Sequence, residues 1–228
     1  MKNIAPVITL DGPSGSGKGT VSQLLAKKLH WHYLDSGILY RALVIASQQY
    51  NLEPNAEDEL AKLAAKMQVS FVQNNTEGYS IHLEQKDITQ AIRSETCSKL
   101  ASQISALPKV RQALLEKQRI YRQAPGLVTD GRDMGTVIFP DAELKVFLTA
   151  NAEERARRRY NQLKEKGIDV SLSDILTELK ARDKRDSERS IAPLVPASDA
   201  IIIDTSQLDI DQVLQTIFVQ AKKRFNIE

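Results

Sequence analysis

The chain has 228 residues, 31 lysines and arginines against 29 acids and a net charge of +2, enough for one α/β domain with insertions and too little charge for a nucleic-acid tether. Its one cysteine, Cys97, excludes an intrachain disulfide and a cysteine zinc cluster. No apolar stretch approaches the roughly 18 residues that span a bilayer, and the opening Met1-Lys2-Asn3-Ile4-Ala5-Pro6 lacks the apolar core of a secretion signal, so a cytoplasmic protein with no membrane or nucleic-acid partner is expected.

Pro6-Val7-Ile8-Thr9-Leu10 is a short apolar run, the pattern of a buried strand in a parallel sheet. Gly12-Pro13-Ser14-Gly15-Ser16-Gly17-Lys18-Gly19-Thr20 follows. Val21, Leu24, Leu25 and Leu29 then fall at helical spacing, so a strand, a glycine loop and an amphipathic helix succeed one another. This is a phosphate-binding loop: glycines let backbone N–H groups point inward, the helix start adds positive potential, and Lys18 is placed to reach the β- and γ-phosphates of a nucleoside triphosphate. One departure stands out. The hydroxyl residue usual directly after the lysine is replaced by Gly19, with Thr20 one place later.

His32-Tyr33-Leu34 is the next candidate strand, followed by Asp35-Ser36-Gly37-Ile38-Leu39-Tyr40-Arg41. Residues beyond the carboxyl ends of parallel strands line the ligand crevice, although Asp35 or Ser36 equally suits a helix cap. Arg41 has no such local reason. Val69 to Val72 and Tyr79 to Leu83 alternate around Asn74-Asn75-Thr76-Glu77-Gly78 and predict a hairpin within an insertion over roughly residues 40–115.

Further strands are expected at Leu127-Val128-Thr129, Leu144 to Leu148 and Ala200 to Ile203, with helices between them. After the first of these, Thr129-Asp130-Gly131-Arg132-Asp133-Met134-Gly135-Thr136 packs charge and glycine into a short block, natural at a phosphate-lined crevice. Arg155, Arg157, Arg158 and Arg159 occupy a helix with Asn151 as cap and Glu154 at its third position. Most of them are surface charges, and one or two on the inward face, Arg158 among them, are expected to reach the donor nucleotide. On a helix from Ser173 to about Glu188, Arg182, Asp186 and Arg189 share one face by spacing, either merely solvated or suited to a sugar phosphate. Residues of roughly 155–192 form a second insertion of the kind that closes over substrates. A final helix from about Ile210 to Phe225 is capped by Asp209.

The overall pattern is α/β, with a five-stranded parallel sheet flanked by helices, in one domain with neither repeats nor a linker. Its chemistry is arginine-rich and base-poor. An alcohol acceptor needs help losing a proton, whereas a phosphate monoester has a second pKa near 6 and is largely dianionic already. His30, His32 and His82 have the look of structural or surface residues, so a phosphate-to-phosphate kinase is the expected activity. A nucleotide switch has no use for a second anion site, and no Asn-Lys-x-Asp guanine reader is present.

Together these residues resemble the bacterial-type cytidylate kinase family of P-loop nucleoside-monophosphate kinases along the whole chain. The resemblance is carried by Gly-Lys-Gly-Thr at the end of the loop, Asp35-Ser36-Gly37 with Tyr40-Arg41, Gly131 to Thr136, and Arg182-Asp183 through Asp186, Arg189, Pro193-Leu194 and Asp199-Ala200. It implies transfer of the γ-phosphate of ATP to CMP or dCMP, with Mg²⁺, in a P-loop kinase whose residues 40–115 bind the monophosphate and whose residues 155–192 form a short lid. It further implies that Arg41, Arg132 and Arg189 hold the acceptor phosphate and that Ser36 lines its pocket. Ser102, Arg111 and Asp133 would read the cytosine, and Arg182 and Asp186 the ribose. Thr20, with a shell of water, is the expected magnesium contact. UMP or another small acceptor is the rival substrate, and a monomer is expected.

Overall fold

The computed structural model describes residues 4–73, 79–165 and 167–227. The chain divides into two compact units, one of Met1–Leu34 with Arg119–Glu228 and one of Asp35–Gln118.

The first unit is built on a five-stranded sheet in the order β2 (His32–Asp35), β6 (Leu127–Gly131), β1 (Val7–Asp11), β7 (Leu144–Thr149), β8 (Ile201–Asp204). β1 (Val7–Asp11) is buried throughout and lies at the centre, which is why it reads as an unbroken apolar run rather than an alternation. It pairs in parallel with β6 (Leu127–Gly131) from Val7↔Leu127 to Asp11↔Gly131, and with β7 (Leu144–Thr149) from Ile8↔Leu144 to Asp11↔Phe147. β2 (His32–Asp35) and β8 (Ile201–Asp204) form the edges. All five strands begin or end within two residues of the expected positions. The β1 and β6 ladder ends at Asp11 and Gly131, so the segments opening at Gly12 and Arg132 leave the sheet side by side.

Helices α1 (Lys18–Leu29) and α8 (Ile210–Phe225) cover the sheet through Val21, Leu25, Val213 and Ile217, which join Ile8, Leu10, Val128 and Val146 in one core. Leu24 departs from the predicted stripe: it is exposed while Val21, Leu25 and Leu29 are buried. The i, i+4, i+8 row of α1 fills the core, and the i+3 position rotates out of it. Asp209 caps α8 in a full capping box, its carboxylate accepting from Gln212 N at 2.8 Å while the Gln212 side chain accepts from Asp209 N at 3.0 Å. Helices α6 (Ala152–Glu165) and α7 (Leu172–Glu188) pack through Ala156, Leu163, Ile175 and Leu179.

The second unit has its own core, including Leu39, Leu43, Leu60, Ile92, Ile104 and Leu114. Those residues come from α2 (Ser36–Gln49), α3 (Glu57–Lys66), a short 3₁₀ turn, α4 (Glu95–Ile104) and α5 (Pro108–Arg119). Its sheet runs β3 (Val69–Gln73), β4 (Tyr79–Leu83) and β5 (Lys86–Asp87), with β3 and β4 antiparallel from Val69↔Leu83 to Gln73↔Tyr79. The predicted turn Asn74-Asn75-Thr76-Glu77-Gly78 lies outside the described residues. Among those described, no helix is long and apolar enough to cross a membrane.

Candidate active site

The glycine loop occupies the short path from β1 to α1. Gly12 takes φ +150°, and a Cβ there would stand 2.1 Å from the carbonyl oxygen of Leu148, so only glycine permits the chain to leave the strand at this angle. Ser16 Oγ donates to Pro13 O at 3.0 Å, and the buried Lys18 Nζ donates to the same carbonyl at 3.0 Å, folding the loop around its own lysine. α1 begins at Lys18 with no acid in its first turn, which leaves the positive end of the helix uncompensated for an anion. Thr20, in that turn, is exposed.

Beside the loop stands Asp130, near the end of β6, which has a place in the charged block of the sequence but no role of its own there. Its Oδ1 accepts from Tyr33 Oη at 2.8 Å, and its Oδ2 lies 3.9 Å from the position a Cβ on Gly19 would occupy. One buried carboxylate against the first turn of α1 suits a Mg²⁺ that takes its other ligands from phosphates and water. Among the described residues no three His, Cys, Asp or Glu side chains gather to hold a metal ion.

Past Gly131 the chain enters the acidic and basic block. Arg132 Nε donates to Asp186 Oδ2 at 2.8 Å, and Arg182 Nε lies 4.0 Å from the same oxygen. Arg189 Nη2 is 3.9 Å from Asp133 Oδ1. Three guanidinium groups therefore meet two carboxylates, an excess of positive charge where an anionic ligand is to be held. Burial would raise the Asp186 carboxyl, but Arg132, Arg182 and Arg189 outweigh it and hold the group below the ordinary carboxylate value. Arg182 and Asp186 do share a face of α7. Arg189 does not: it is the extended C-cap of that helix, at φ −63° and ψ 138°, and reaches Asp133 from beyond the last turn. The exit is fixed by Leu194 N donating to Asp186 O at 2.7 Å.

The arginines of α6 have different partners. Asn151 caps the helix, its Oδ1 accepting from Glu154 N at 2.7 Å, but the Glu154 carboxylate turns to Arg157 and Arg158 instead of closing a capping box. Arg158 also donates to Thr205. It is the buried Arg155 that touches the glycine loop, through Nη1 to Ser14 O at 3.0 Å. Periodicity alone did not separate these neighbours.

In the second unit, Asp35 caps α2 by accepting from Gly37 N at 2.9 Å and also pairs with Arg41 at 2.6 Å. Arg41 thus has the local partner that its sequence context did not reveal. Ser36 is buried at the start of α2. Arg111 is buried and donates to Ser105 O at 3.0 Å, while the buried Ser102 hydroxyl has no hydrogen-bond partner. The histidines are structural where their contacts are defined: His30 is the left-handed C-cap of α1, and His32 Nε2 lies 2.9 Å from Ala124 O.

A family model described as cytidylate kinase matches residues 8–223. The chain belongs to the cytidylate kinase family. Relatives of that name include one from Pseudomonas syringae pv. tomato, 58% identical over 225 residues and covering 98% of both chains. A second, from Shewanella sediminis, is 55% identical over 215 residues and covers 94% of each. A third, from Aeromonas hydrophila, is 52% identical and covers 98% of this chain and 97% of its own. Family membership and the base-poor, arginine-rich block agree, since both concern phosphate held by cations rather than a proton drawn off an alcohol.

Proposed function

We propose that this chain is an ATP-dependent cytidylate kinase that moves the γ-phosphate of ATP to CMP or dCMP, giving ADP and CDP or dCDP. The observation that carries the reading is the set of Arg132, Arg182 and Arg189 gathered about Asp133 and Asp186, past the end of β6 and beside the end of β1 from which the glycine loop leaves. A donor site and an anion site at neighbouring strand ends are what a phosphate-to-phosphate transfer requires.

In the reaction an acceptor phosphate oxygen forms a bond to the γ-phosphorus as the bond from that phosphorus to the β,γ-bridging oxygen breaks, and ADP keeps the electron pair. No proton has to leave the dianionic acceptor, so no general base is needed. Gly12, Pro13, Ser14, Gly15, Ser16, Gly17, Gly19 and Thr20 cradle the donor phosphates and Lys18 spans the β- and γ-groups. Arg158 contacts the donor nucleotide from the lid segment, residues 155–192. Arg41, Arg132 and Arg189 hold the acceptor phosphate, and Arg182 with Asp186 takes the ribose. Asp133 accepts from the exocyclic amine of cytosine and Arg111 donates to its ring carbonyl; Ser102 also reads the base, Ser36 serves the acceptor, and residues 40–115 are the acceptor-binding segment. Thr20 and Asp130 would hold a Mg²⁺ ion, which would supply charge neutralisation. The enzyme acts as a cytoplasmic monomer.

A coupled assay with ATP, Mg²⁺ and a panel of nucleoside monophosphates tests this. ADP formation should be stimulated most by CMP and dCMP. Stimulation by UMP alone, or by no monophosphate, would refute the assignment.

A further inference from the structure

Given the assignment of Arg132 and Asp133 to the CMP acceptor, we propose that Asp11 is a positioning residue, orienting that acceptor-reading segment against the donor loop through the backbone of Met134 and Gly135. Asp11 is the last residue of β1, buried, and immediately precedes Gly12. Its Oδ1 accepts from Met134 N at 2.9 Å and its Oδ2 from Gly135 N at 2.8 Å, across 123 and 124 residues of sequence. The ladder between β1 and β6 ends at Asp11↔Gly131, so beyond it this carboxylate is the tie that continues the register into Arg132 and Asp133.

The local backbone needs such a tie. Asp133 has φ −146° and ψ 25°, and a single π-helical segment, Met134–Ile138, follows it. The first N–H groups of a helical segment have no partner within it, and here two of them are met by a carboxylate delivered from another strand. Both oxygens are used as acceptors. An amide side chain would turn a donor toward one of those N–H groups, so only the carboxylate satisfies the pair.

Burying a carboxylate is costly, and packing alone would be served by an apolar side chain. Burial pushes Asp11 up to about 6, opposed by the N–H groups of Gly135 and Met134. The charges that face it are Asp133 and Lys18, one from the acceptor segment and one from the donor helix. Gly135 shows how closely the segment must lie against the sheet: a Cβ there would stand 2.8 Å from Thr9 Oγ1 and 3.2 Å from Lys145 Cδ. A side chain at 135 must displace Thr9 Oγ1 or shift the peptide that Asp11 holds.

Full-length Asp11→Asn and, separately, Gly135→Ala provide the test, with CMP or UMP varied at saturating ATP and Mg²⁺, alongside amide hydrogen exchange. In each variant KM for CMP should rise roughly tenfold, the scale of one lost charge-assisted hydrogen bond, while KM for ATP stays within about twofold. Preference for CMP over UMP should narrow. The Met134 and Gly135 amides should lose protection while those of β1 keep theirs. Folded variants with lower Tm but unchanged KM for CMP and unchanged preference would overturn the proposal, because a purely structural tie moves stability alone. Gly135→Ala reaches the contact from the other side if Asp11→Asn fails to fold. Rapid exchange of both amides in the wild type would overturn it without any variant. A wild-type enzyme inactive on CMP would instead sink the acceptor assignment.

Discussion

Arg155 joins the glycine loop to helix α7 through Asp183. Its Nη1 is 3.2 Å and its Nη2 2.5 Å from the two carboxylate oxygens, the same Nη1 donates to Ser14 O at 3.0 Å, and Nε donates to Ala150 O at 2.9 Å. A planar fork with fixed donors makes this three-way junction, which a lysine cannot reproduce. Asp183 sits next to Arg182 and three residues before Asp186, so the glycine loop and the face of α7 that carries Asp186 share one buried guanidinium.

Arg155→Ala should lower unfolding free energy by about 2–3 kcal/mol, toward the low end for breaking a buried ion pair because Asp183 retains some exposure. Urea denaturation measures this. A double-mutant cycle with Asp183→Ala should give a coupling of at least about 1 kcal/mol; strict additivity would mean that the pair carries no interaction of its own.

Lys18→Ala removes the cation proposed to meet the charge that develops on the transferring group. We expect kcat to fall by at least roughly 10²-fold in protein that still folds. Steady-state assays with a thermal melt distinguish a catalytic from a folding defect, and near-normal turnover would remove the loop from catalysis.

Asp133→Ala takes away the acceptor proposed for the cytosine amine. Uracil presents a carbonyl at that position, so the ratio of kcat/KM for CMP to that for UMP should contract by at least roughly tenfold, within the range for leaving a buried polar group unpaired. An unchanged ratio would exclude Asp133 from base recognition.

Stability should respond to pH in two opposed ways. Asp11 is raised from 3.8 to about 6, so its contribution is fully present below pH 3.8 and is lost as pH rises through about 6. The stability difference between wild type and Asp11→Asn should accordingly shrink by about 3 kcal/mol from pH 3.5 to 7.5, at about 1.4 kcal/mol per pH unit. Asp186 is held below 3.8, so its contribution is present above that value and is lost as pH falls below it. Urea titrations of wild type, Asp11→Asn and Asp186→Asn across this range read both signs.

Local regularities were legible in the residues alone. The glycine loop, the strands at 6–10 and 144–148 and the Asp209 cap each depend on neighbours within a few positions, where backbone conformation and hydrophobic period leave a direct trace. The base-poor, arginine-rich character was legible too, because it is a matter of which side chains are present.

Which of them meet was decided only by the tertiary structure. Asp11 finds Met134 and Gly135 because β1 and β6 pair in parallel and end together, and no local pattern specifies a partner 123 residues away. Arg155 rather than Arg158 reaches Ser14 because the packing of α6 turns that position inward, a choice that neighbouring arginines on one helix do not reveal. Arg189 faces Asp133 from an extended cap, since α7 stops one residue earlier. Interactions of short range set the elements and their chemical inventory; register and helix packing, which act across the whole chain, chose the pairs.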